Sequence, residues 1–331
     1  MKQSLFLKEM QLFLTRYCQQ ERRLSRQTVL SYRDTMKLLI NYFKEKKKRS
    51  PAAIQFSDLS YEQISDFLNY LEKERKVSVS TRNQRLCAIK SFFKYILFKH
   101  PDYADTISRA MNVPQKKKSK NQREFLESNE VEVLLKSVNQ TRWSGRRDYL
   151  LLDFCIRTGV RVSELVALQS ENVVLGKSPY VTVTGKGRKE RSIPIDRILA
   201  KALSKWLTET KALGYSQLFP SIRGEQMSSD AVQHLLRKYV AIAMKDVPSL
   251  EKKKISPHSL RHTTAMNLLN RGVDIQIIAL WLGHEQIDTT QIYLSENMAL
   301  KRKALKKTRL SAIELNPPKQ LNNVLSFLDD L

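Results

Sequence analysis

The sequence predicts a mainly α-helical protein of two domains, the second of which contains a small β-hairpin. Apolar residues recur at helical spacing across residues 1–110, and a run with no apolar residue follows at 114–122. Two β-branched segments separated by a glycine turn lie on either side of residue 186. We therefore expect a helical domain over 1–113, a basic linker over 114–122, a mixed domain over 123–310 and a tail over 311–331.

The first domain is predicted to be a small bundle of helices. These helices are expected over 4–18, over 25–43, from Ser60 onward and over 81–98. Ser60 and Gln63 have the spacing of a capping box, which starts the third helix. In the fourth helix, Arg82, Arg85 and Lys90 fall outside the apolar stripe and give the bundle a basic surface.

The second domain is predicted to be helical around one hairpin. Its helices are expected over 129–138, 146–157, 162–168, 196–211, 229–244, 256–272, 274–281, 287–294 and 298–309. Gly159 ends the second of them, and Ser256 caps another helix that has Pro257 at its first position. The strands are expected over 180–184 and 190–195, with Lys186 at the tip of the hairpin.

The charge distribution points to a polyanionic partner. Lys and Arg number 58 against 33 Asp and Glu, and residues 1–122 hold 26 of the basic but only 11 of the acidic side chains. A net charge of +25 favours a polyanion as the partner over a merely solvated basic surface. The residues expected to contact phosphates in this first part of the chain are Arg82, Arg85, Lys90, Lys116, Lys117 and Lys118. The three linker lysines are equally compatible with a simple flexible tether.

The cysteines and the N-terminal residues indicate a cytoplasmic protein. Cys18, Cys87 and Cys155 are widely spaced in apolar helical contexts, so we expect three reduced, buried thiols and neither disulfides nor a metal site. No segment has the length and apolarity of a signal peptide or a membrane span. We expect a bacterial protein that associates with the nucleoid and not with a membrane.

Six residues in five short motifs carry the strongest functional signal. They are Arg161 in Thr-Gly-Val-Arg-Val-Ser-Glu-Leu, Lys186 in Thr-Gly-Lys-Gly-Arg, His258 and Arg261 in His-Ser-Leu-Arg-His, His284 in Leu-Gly-His, and Tyr293 in Asp-Thr-Thr-Gln-Ile-Tyr. The order and contexts of these residues resemble the tyrosine recombinase (phage integrase) family across essentially the whole chain. Within that family the layout is similar to Xer-like recombinases and to the integrases and transposases of mobile elements.

The residue types suit phosphodiester cleavage without a metal. A phenol has an ordinary pKa near 10, so it attacks poorly unless its proton is drawn off. Two guanidiniums, here those of Arg161 and Arg261, can present rigid forks of donors to the nonbridging oxygens. His258 and Arg261 are three residues apart and share one face of a helix. Any one of these residues alone would be an ordinary surface or core residue, and only the set is informative.

The resemblance assigns a role to each position. Tyr293 is the nucleophile and forms a 3′-phosphotyrosyl link, while Arg161 and Arg261 hold the phosphate. His258 is the acid/base for the tyrosine proton, Lys186 protonates the leaving 5′ oxygen and His284 hydrogen-bonds the scissile phosphate. Glu164 supports Arg161 through a helical salt bridge, for which an ordinary surface pair is the alternative, and Arg188 in the hairpin turn contacts DNA.

The resemblance also implies an architecture and an activity. The expected fold is a two-domain, C-shaped clamp on double-stranded DNA, with an N-terminal domain of the SAM-like type. The expected activity is site-specific recombination (integration, excision or resolution) with no cofactor and no metal. Strand exchange implies a homotetramer on two duplexes, assembled from monomers or dimers.

The tail has two equally supported interpretations. Pro317 and Pro318 break the chain ahead of an apolar stripe of helical spacing, composed of Leu321, Val324, Leu325, Leu328 and Leu331. The stripe could dock on a neighbouring protomer, as is common in the resembled family, or pack back on its own domain. The target sequence, the need for a partner recombinase or accessory proteins, and the choice between chromosome-dimer resolution and mobile-element integration stay open.

Four alternative functions are less well supported by the sequence. A type IB topoisomerase would share the tyrosine chemistry but would relax plasmid DNA without recombining it. A non-catalytic DNA-binding factor predicts an eroded set of six residues, whereas all six are present. A metal-dependent transposase needs a cluster of carboxylates that the sequence does not display. His258 and His262 have the spacing of a zinc pair, but Ser259 stands where a metalloprotease needs glutamate.

Overall fold

The structure is a computed structural model in which residues 4–117, 124–185, 187 and 189–283 are described. The chain divides into two compact units, Met1–Asn121 and Gln122–Leu331. The described part is mainly helical with one small antiparallel sheet, so the predicted fold class is confirmed. The helices predicted over 287–294 and 298–309, and the tail, lie outside the described residues.

The first unit is an all-helical bundle around an aromatic core. Its α-helices are α1 (Leu5–Leu12), α2 (Arg26–Lys46), α3 (Tyr61–Lys73), α4 (Val79–Lys99) and α5 (Ala104–Met111), and a π-helix, Phe13–Glu21, continues α1. Serines cap the N-termini of the first four, where each hydroxyl accepts a hydrogen bond from a backbone N–H three residues on. Phe6, Phe13 and Phe92 pack edge-to-face at ring distances of 5.2–6.0 Å in the centre of the bundle.

The second unit combines α-helices with a three-stranded sheet, and the buried residues of the sheet belong to the same core as those of the helices. The helices are α6 (Ser128–Lys136), α7 (Trp143–Thr158), α8 (Val162–Ala167), α9 (Arg197–Ala212), α10 (Ser229–Ala243), α11 (Pro257–Asn270) and α12 (Ile275–Leu282). The strands β1 (Val173–Val174), β2 (Tyr180–Thr184) and β3 (Glu190–Pro194) pair antiparallel in the order β1-β2-β3. The predicted hairpin is therefore present, and a short third strand extends it.

Two left-handed glycines bring the segments of the candidate site together. Gly159 ends α7 with a φ of +66°, and Gly283 ends α12 with the same φ. A Cβ on Gly159 would lie 2.7 Å from Cδ2 of Leu282, so the two helix ends approach as closely as a glycine permits. Thr264 of α11 also reaches the end of α7, where its hydroxyl donates to the carbonyl of Ile156 at 2.8 Å.

One sequence expectation on the thiols is wrong. Cys18 and Cys155 are buried, as predicted, but Cys87 is exposed on α4. Its sulfur accepts a hydrogen bond from the amide of Gln115 at 3.2 Å. The apolar neighbours of Cys87 in the sequence belong to the opposite face of the helix, which is why the local context misleads. Among the residues that the structure describes, no helix is both long and apolar enough to cross a membrane.

Candidate active site

Three arginines from three elements donate to three consecutive carbonyls at the end of α12. Nε of Arg191 on β3 donates to the carbonyl of Trp281 at 3.0 Å, and Nη2 of Arg261 on α11 donates to that of Leu282 at 2.5 Å. Nη2 of Arg161 donates to the carbonyl of Gly283 at 2.9 Å. The last carbonyls of a helix lack partners within the helix and form its negative end, so cations are stabilised there. The result is a dense guanidinium cluster at this helix end.

Arg161 is held by a reciprocal contact with Glu164. Arg161 is the N-cap residue of α8, and its backbone N–H donates to Oε2 of Glu164 at 2.8 Å. Its Nη1 donates to Oε1 of the same carboxylate at 2.7 Å. The Arg161 side chain stays 36% exposed while that of Glu164 is 3% exposed. The buried carboxylate thus fixes a guanidinium that solvent can still reach.

Glu164 is a buried carboxylate that serves two arginines. Arg191 donates to it through both terminal nitrogens, with Nη1 3.0 Å from Oε1 and Nη2 2.8 Å from Oε2. Burial alone would raise the pKa of Glu164, but the hydrogen bonds from Arg191 and Arg161 and the charge of Arg191 lower it to about 2. The carboxylate is therefore ionised throughout the physiological range. The predicted salt bridge between Arg161 and Glu164 is present, and it is partly buried instead of being a surface pair.

Arg261 is the most buried of the arginines in this cluster. It is 1% exposed, and Nη1 donates to the carbonyl of Gly159 at 2.7 Å in addition to the bond to Leu282. Its guanidinium therefore joins the end of α7 to the end of α12. A buried guanidinium between backbone carbonyls has a fixed orientation, because every change of rotamer would break charge-assisted hydrogen bonds.

His258 lies one turn before Arg261 near the N-terminus of α11. Ser256 caps this helix and Pro257 occupies its first turn, as the sequence predicts. His258 is exposed, and its ring packs edge-on against that of the buried His262 with centroids 4.4 Å apart. Within the described ranges, no group of three or more His, Cys, Asp or Glu side chains is arranged to hold a metal ion.

The remaining catalytic candidates lie outside the described residues. These candidates are Lys186, His284 and Tyr293, together with the DNA-contact candidates Lys118 and Arg188. The flanking structure is described: the β2–β3 pairing runs up to Thr184 and Glu190, and the N–H of Gly185 donates to the carbonyl of Lys189 at 2.7 Å. His284 directly follows Gly283, to which Arg161 bonds.

Comparison with known proteins gives the class of protein to which this site belongs. Residues 124–299 match the model of the phage integrase family, and residues 6–100 match the model of its N-terminal SAM-like domain. The chain belongs to the phage integrase family. It is a tyrosine recombinase, an enzyme that cleaves DNA and transfers its strands between sites.

Individual relatives cover nearly the whole recombinase. The putative integrase/recombinase y4rC of Sinorhizobium fredii is 40% identical over 319 residues, which is 96% of each chain. Tyrosine recombinase XerD of Vibrio cholerae is 32% identical over 278 residues, covering 82% of this chain and 87% of the relative. The Tn1549 transposon integrase, solved with transposon right end DNA, shares the fold with a TM-score of 0.68 at 18% identity, over 92% of this chain and 99% of the other.

The structure places Arg82, a candidate for DNA contact, in the interior of the first unit. Its side chain is 5% exposed, lies 3.7 Å from Glu72 and donates to the carbonyl of Pro114 at 2.8 Å, so it cannot reach a phosphate without leaving the interior. Arg85 is half-buried and donates to the carbonyl of Ser31 and the hydroxyl of Thr35, both at 3.1 Å. Three other candidates reach solvent, Lys90 being half-buried and Lys116 and Lys117 exposed.

Sequence reasoning missed Arg191, although a signal was present. Arg191 and Ile193 alternate with exposed residues along β3, and Ile193 is fully buried. Because side chains in a strand alternate between faces, Arg191 shares the inward face with Ile193. An arginine on an inward face needs an internal anion, and Glu164 is that anion.

Proposed function

We propose that Tyr293 of this recombinase attacks the scissile phosphate and forms a 3′-phosphotyrosyl link, which releases a free 5′-hydroxyl. The observation that supports this most is the pairing of Arg161 and Arg261 on the adjacent carbonyls of Gly283 and Leu282, directly before His284 in the sequence. Two residues 100 positions apart are thereby held next to the segment that leads to the tyrosine.

The arginine pair acts on the charge of the transition state. When the phenol oxygen adds to phosphorus, negative charge grows on the nonbridging oxygens. Preorganised guanidinium donors are worth more there than in the ground state, because they need no reorganisation as the charge develops. Arg161, which solvent can reach, supplies donors at the surface of the cluster. Arg261 fixes the ends of α7 and α12 and holds positive charge beneath the phosphate.

Proton transfer completes the cycle. In the proposed roles, His258 accepts the proton of the Tyr293 phenol and Lys186 gives a proton to the departing 5′ oxygen, while His284 donates a hydrogen bond to the phosphate. The P–O bond to tyrosine forms as the bond to the 5′ oxygen breaks. A 5′-hydroxyl then attacks the phosphotyrosine and releases the phenol, which reverses the step. The phosphodiester bond energy is conserved, so the chemistry requires neither ATP nor a divalent ion.

A nicked suicide substrate tests the nucleophile. With a nick beside the cleavage site, the short fragment that carries the new 5′-hydroxyl diffuses away. The reverse reaction is then lost and the covalent adduct accumulates. Tyr293→Phe should bind this DNA with unchanged affinity and form no adduct, whereas Tyr180→Phe, a half-buried tyrosine on β2, should form it at the wild-type rate. Adduct formation should persist in excess chelator. A covalent adduct formed by Tyr293→Phe would contradict the assignment of Tyr293 as the nucleophile.

Both units of the recombinase are proposed to contact DNA, largely through phosphates, in the cytoplasm. Strand exchange between two duplexes breaks four strands, so the working assembly is proposed to be a homotetramer in which each protomer supplies one Tyr293. Among solved neighbours, lambda integrase was crystallised as a tetramer bound to a Holliday junction, at 17% identity to this chain. Crosslinking of protomers on synapsed DNA would test this assembly, and a dimer that completes exchange would overturn it.

We further propose that the natural reaction is integration or excision of a mobile element. The relative that is 40% identical bears the name integrase/recombinase, whereas three relatives named XerC or XerD are 30–32% identical. Trapping the phosphotyrosyl adduct in cells and sequencing the attached DNA gives a direct test. The ends of a mobile element should be recovered. A single chromosomal site without an adjoining element would instead indicate resolution.

A further inference from the structure

Arg191 makes three hydrogen bonds that link three parts of the active site. Two go to the carboxylate of Glu164, at 3.0 and 2.8 Å, and one goes to the carbonyl of Trp281 at 3.0 Å. Its side chain is 14% exposed. Arg191 thus joins β3 to the carboxylate that holds Arg161 and to the end of α12.

The packing around Arg191 is tight on the side of α12. A Cβ built on Gly283 would lie 3.0 Å from Nη1 of Arg191 and 3.1 Å from its Cδ and Cζ. Gly283 also has a φ of +66°, which disfavours other residues. The guanidinium plane therefore rests against the residue whose carbonyl binds Arg161. Arg191 therefore contacts both groups that bind the Arg161 guanidinium, the carboxylate of Glu164 and the residue Gly283.

We infer that Arg191 is a positioning residue for DNA cleavage, acting through Glu164 on Arg161. This inference rests on the proposed role of Arg161. Without Arg191, the 3%-exposed carboxylate of Glu164 would keep only its two hydrogen bonds from Arg161, and the two residues could shift together. The bidentate fork of Arg191 occupies both oxygens and removes that freedom. Lysine keeps the charge but has no planar fork, so it cannot replace Arg191 fully.

The first test is the rate of covalent adduct formation by preformed complexes on a suicide substrate. Arg191→Ala should slow this rate on the order of 10²-fold, the cost of misplacing a reacting group by about 1 Å. Arg191→Lys should lie between the alanine variant and the wild type, and DNA affinity should stay within about threefold in both. Arg157→Ala is the matched control, since Arg157 also binds two carboxylates, which are those of Asp153 and Asp196 instead of Glu164.

The second test separates positioning from simple stabilisation of the fold. If Arg191 acts through Arg161, then Arg161→Ala with Arg191→Ala should cleave no more slowly than Arg161→Ala alone, because the group being positioned is already gone. A double variant slower than Arg161→Ala by the full effect of Arg191→Ala would overturn the inference. A wild-type rate in Arg191→Lys, or equal losses in Arg191→Ala and Arg157→Ala, would do the same.

The same measurements distinguish failure of this inference from failure of the proposed function. If Arg161→Ala cleaves at the wild-type rate, the proposed role of Arg161 fails, and the inference on Arg191 fails with it. If Arg161→Ala is slow but the effects of the two substitutions multiply, only the inference on Arg191 fails. Should Arg191→Ala not fold, Arg191→Lys combined with Arg161→Ala supplies the same comparison.

Discussion

Glu164 is an acidic side chain within a cluster of arginines, and its ionisation sets the charge of that cluster. Its ordinary pKa is near 4.3 and its pKa in the folded recombinase is about 2. A carboxylate with a lowered pKa stabilises the fold fully above its unfolded pKa. That contribution is lost as the pH falls from about 4.3 towards 2. Glu164 therefore does not titrate in the range in which a histidine or a phenol changes its charge.

A substitution that removes only the charge of Glu164 tests whether this residue titrates outside the pH range of a histidine or a phenol. Glu164→Gln keeps the shape of the side chain but leaves two guanidiniums beside a neutral amide, so we expect cleavage to slow by at least about tenfold. The pH–rate profile of the variant should keep the wild-type apparent pKa values between pH 5 and 9 and lose only amplitude. Measurement of single-turnover cleavage against pH checks this. A displaced acidic limb in the variant would show that Glu164 itself titrates in that range.

The contacts of single residues could be predicted from the sequence where both partners lie in one short motif. They could not be predicted where the partner is distant in the sequence. The motif of Arg161 includes Glu164 three residues on, and at this spacing the two residues form a capping box and an ion pair. The helical position of Arg82 predicts a surface residue, yet its guanidinium is buried and donates to the carbonyl of Pro114, 32 residues away. Alternation along β3 places Arg191 on an inward face, but it does not identify the partner Glu164, which lies 27 residues away.

At the scale of elements, the loop after α7 must approach the end of α12 closely. Gly159→Ala would place a methyl group 2.7 Å from Leu282 in a residue whose φ is +66°. We expect it to lower the free energy of unfolding by about 2–4 kcal/mol, from left-handed strain and overpacking together. Gly214 has a φ of +72° and no atom within 4 Å of an added Cβ. Gly214→Ala should therefore show the strain alone, about 1–2 kcal/mol.

Denaturant unfolding of the two glycine variants measures the difference. Gly159→Ala should also slow DNA cleavage, because the carbonyls of Gly159 and Leu282 both hold Arg261. Gly214→Ala should cleave as the wild type does. Equal stability losses in the two variants would show that the helix ends adjust to the added methyl group and that the close approach has no energetic role.

The start of the linker is fixed to the first unit by a side chain. The side-chain amide of Asn83 donates to the carbonyl of Lys116 at 2.8 Å and accepts from the N–H of Lys116 at 3.1 Å. Both backbone groups of Lys116 are therefore bound by one side chain. The ammonium of Lys116 also lies 2.6 Å from Glu72. The predicted linker boundary at residue 114 is thus followed by at least three residues that are held on the bundle.

Removal of the Asn83 side-chain amide should weaken the attachment of Lys116 to the first unit. Asn83→Ala removes two hydrogen bonds from a residue that is 5% exposed, and each is worth about 1 kcal/mol. Hydrogen exchange at the backbone amide of Lys116 should therefore become roughly ten times faster or more. Asn69→Ala, an exposed position on α3, is the control and should leave that amide unchanged. Unaltered exchange in Asn83→Ala would mean that other contacts hold the linker.

The elements that the sequence did not predict lack a local signal. The predicted helix over 4–18 became α1 and a π-helix, because π-helical hydrogen bonding changes the register of a continuous apolar pattern without interrupting it. Strand β1 has only two residues, and its existence depends on pairing with Val181 and Tyr180 of β2. The long helices with serine caps, by contrast, carry their own start signals, and their predicted positions agree with the structure to within a few residues.

At the scale of the whole molecule, the net charge of +25 implies that DNA binding is coupled to the release of counterions. Each phosphate that is neutralised releases condensed counterions, so the logarithm of the binding constant falls linearly with the logarithm of the salt concentration. The basic excess is densest in residues 1–122, which hold 26 basic and 11 acidic side chains. Nonspecific affinity and its salt dependence should therefore come disproportionately from the first unit.

Binding measurements across a range of salt concentrations test this distribution. If six to ten phosphates are contacted, affinity should fall about 10³- to 10⁵-fold between 50 and 200 mM salt. Lys117→Ala, which removes an exposed linker charge, should reduce the slope by about one. Arg82→Ala should leave the slope unchanged, because a buried guanidinium that already binds Pro114 releases no counterion from DNA. An equal reduction of the slope in both variants would show that Arg82 leaves the interior to contact DNA, which would restore the role that its burial argues against.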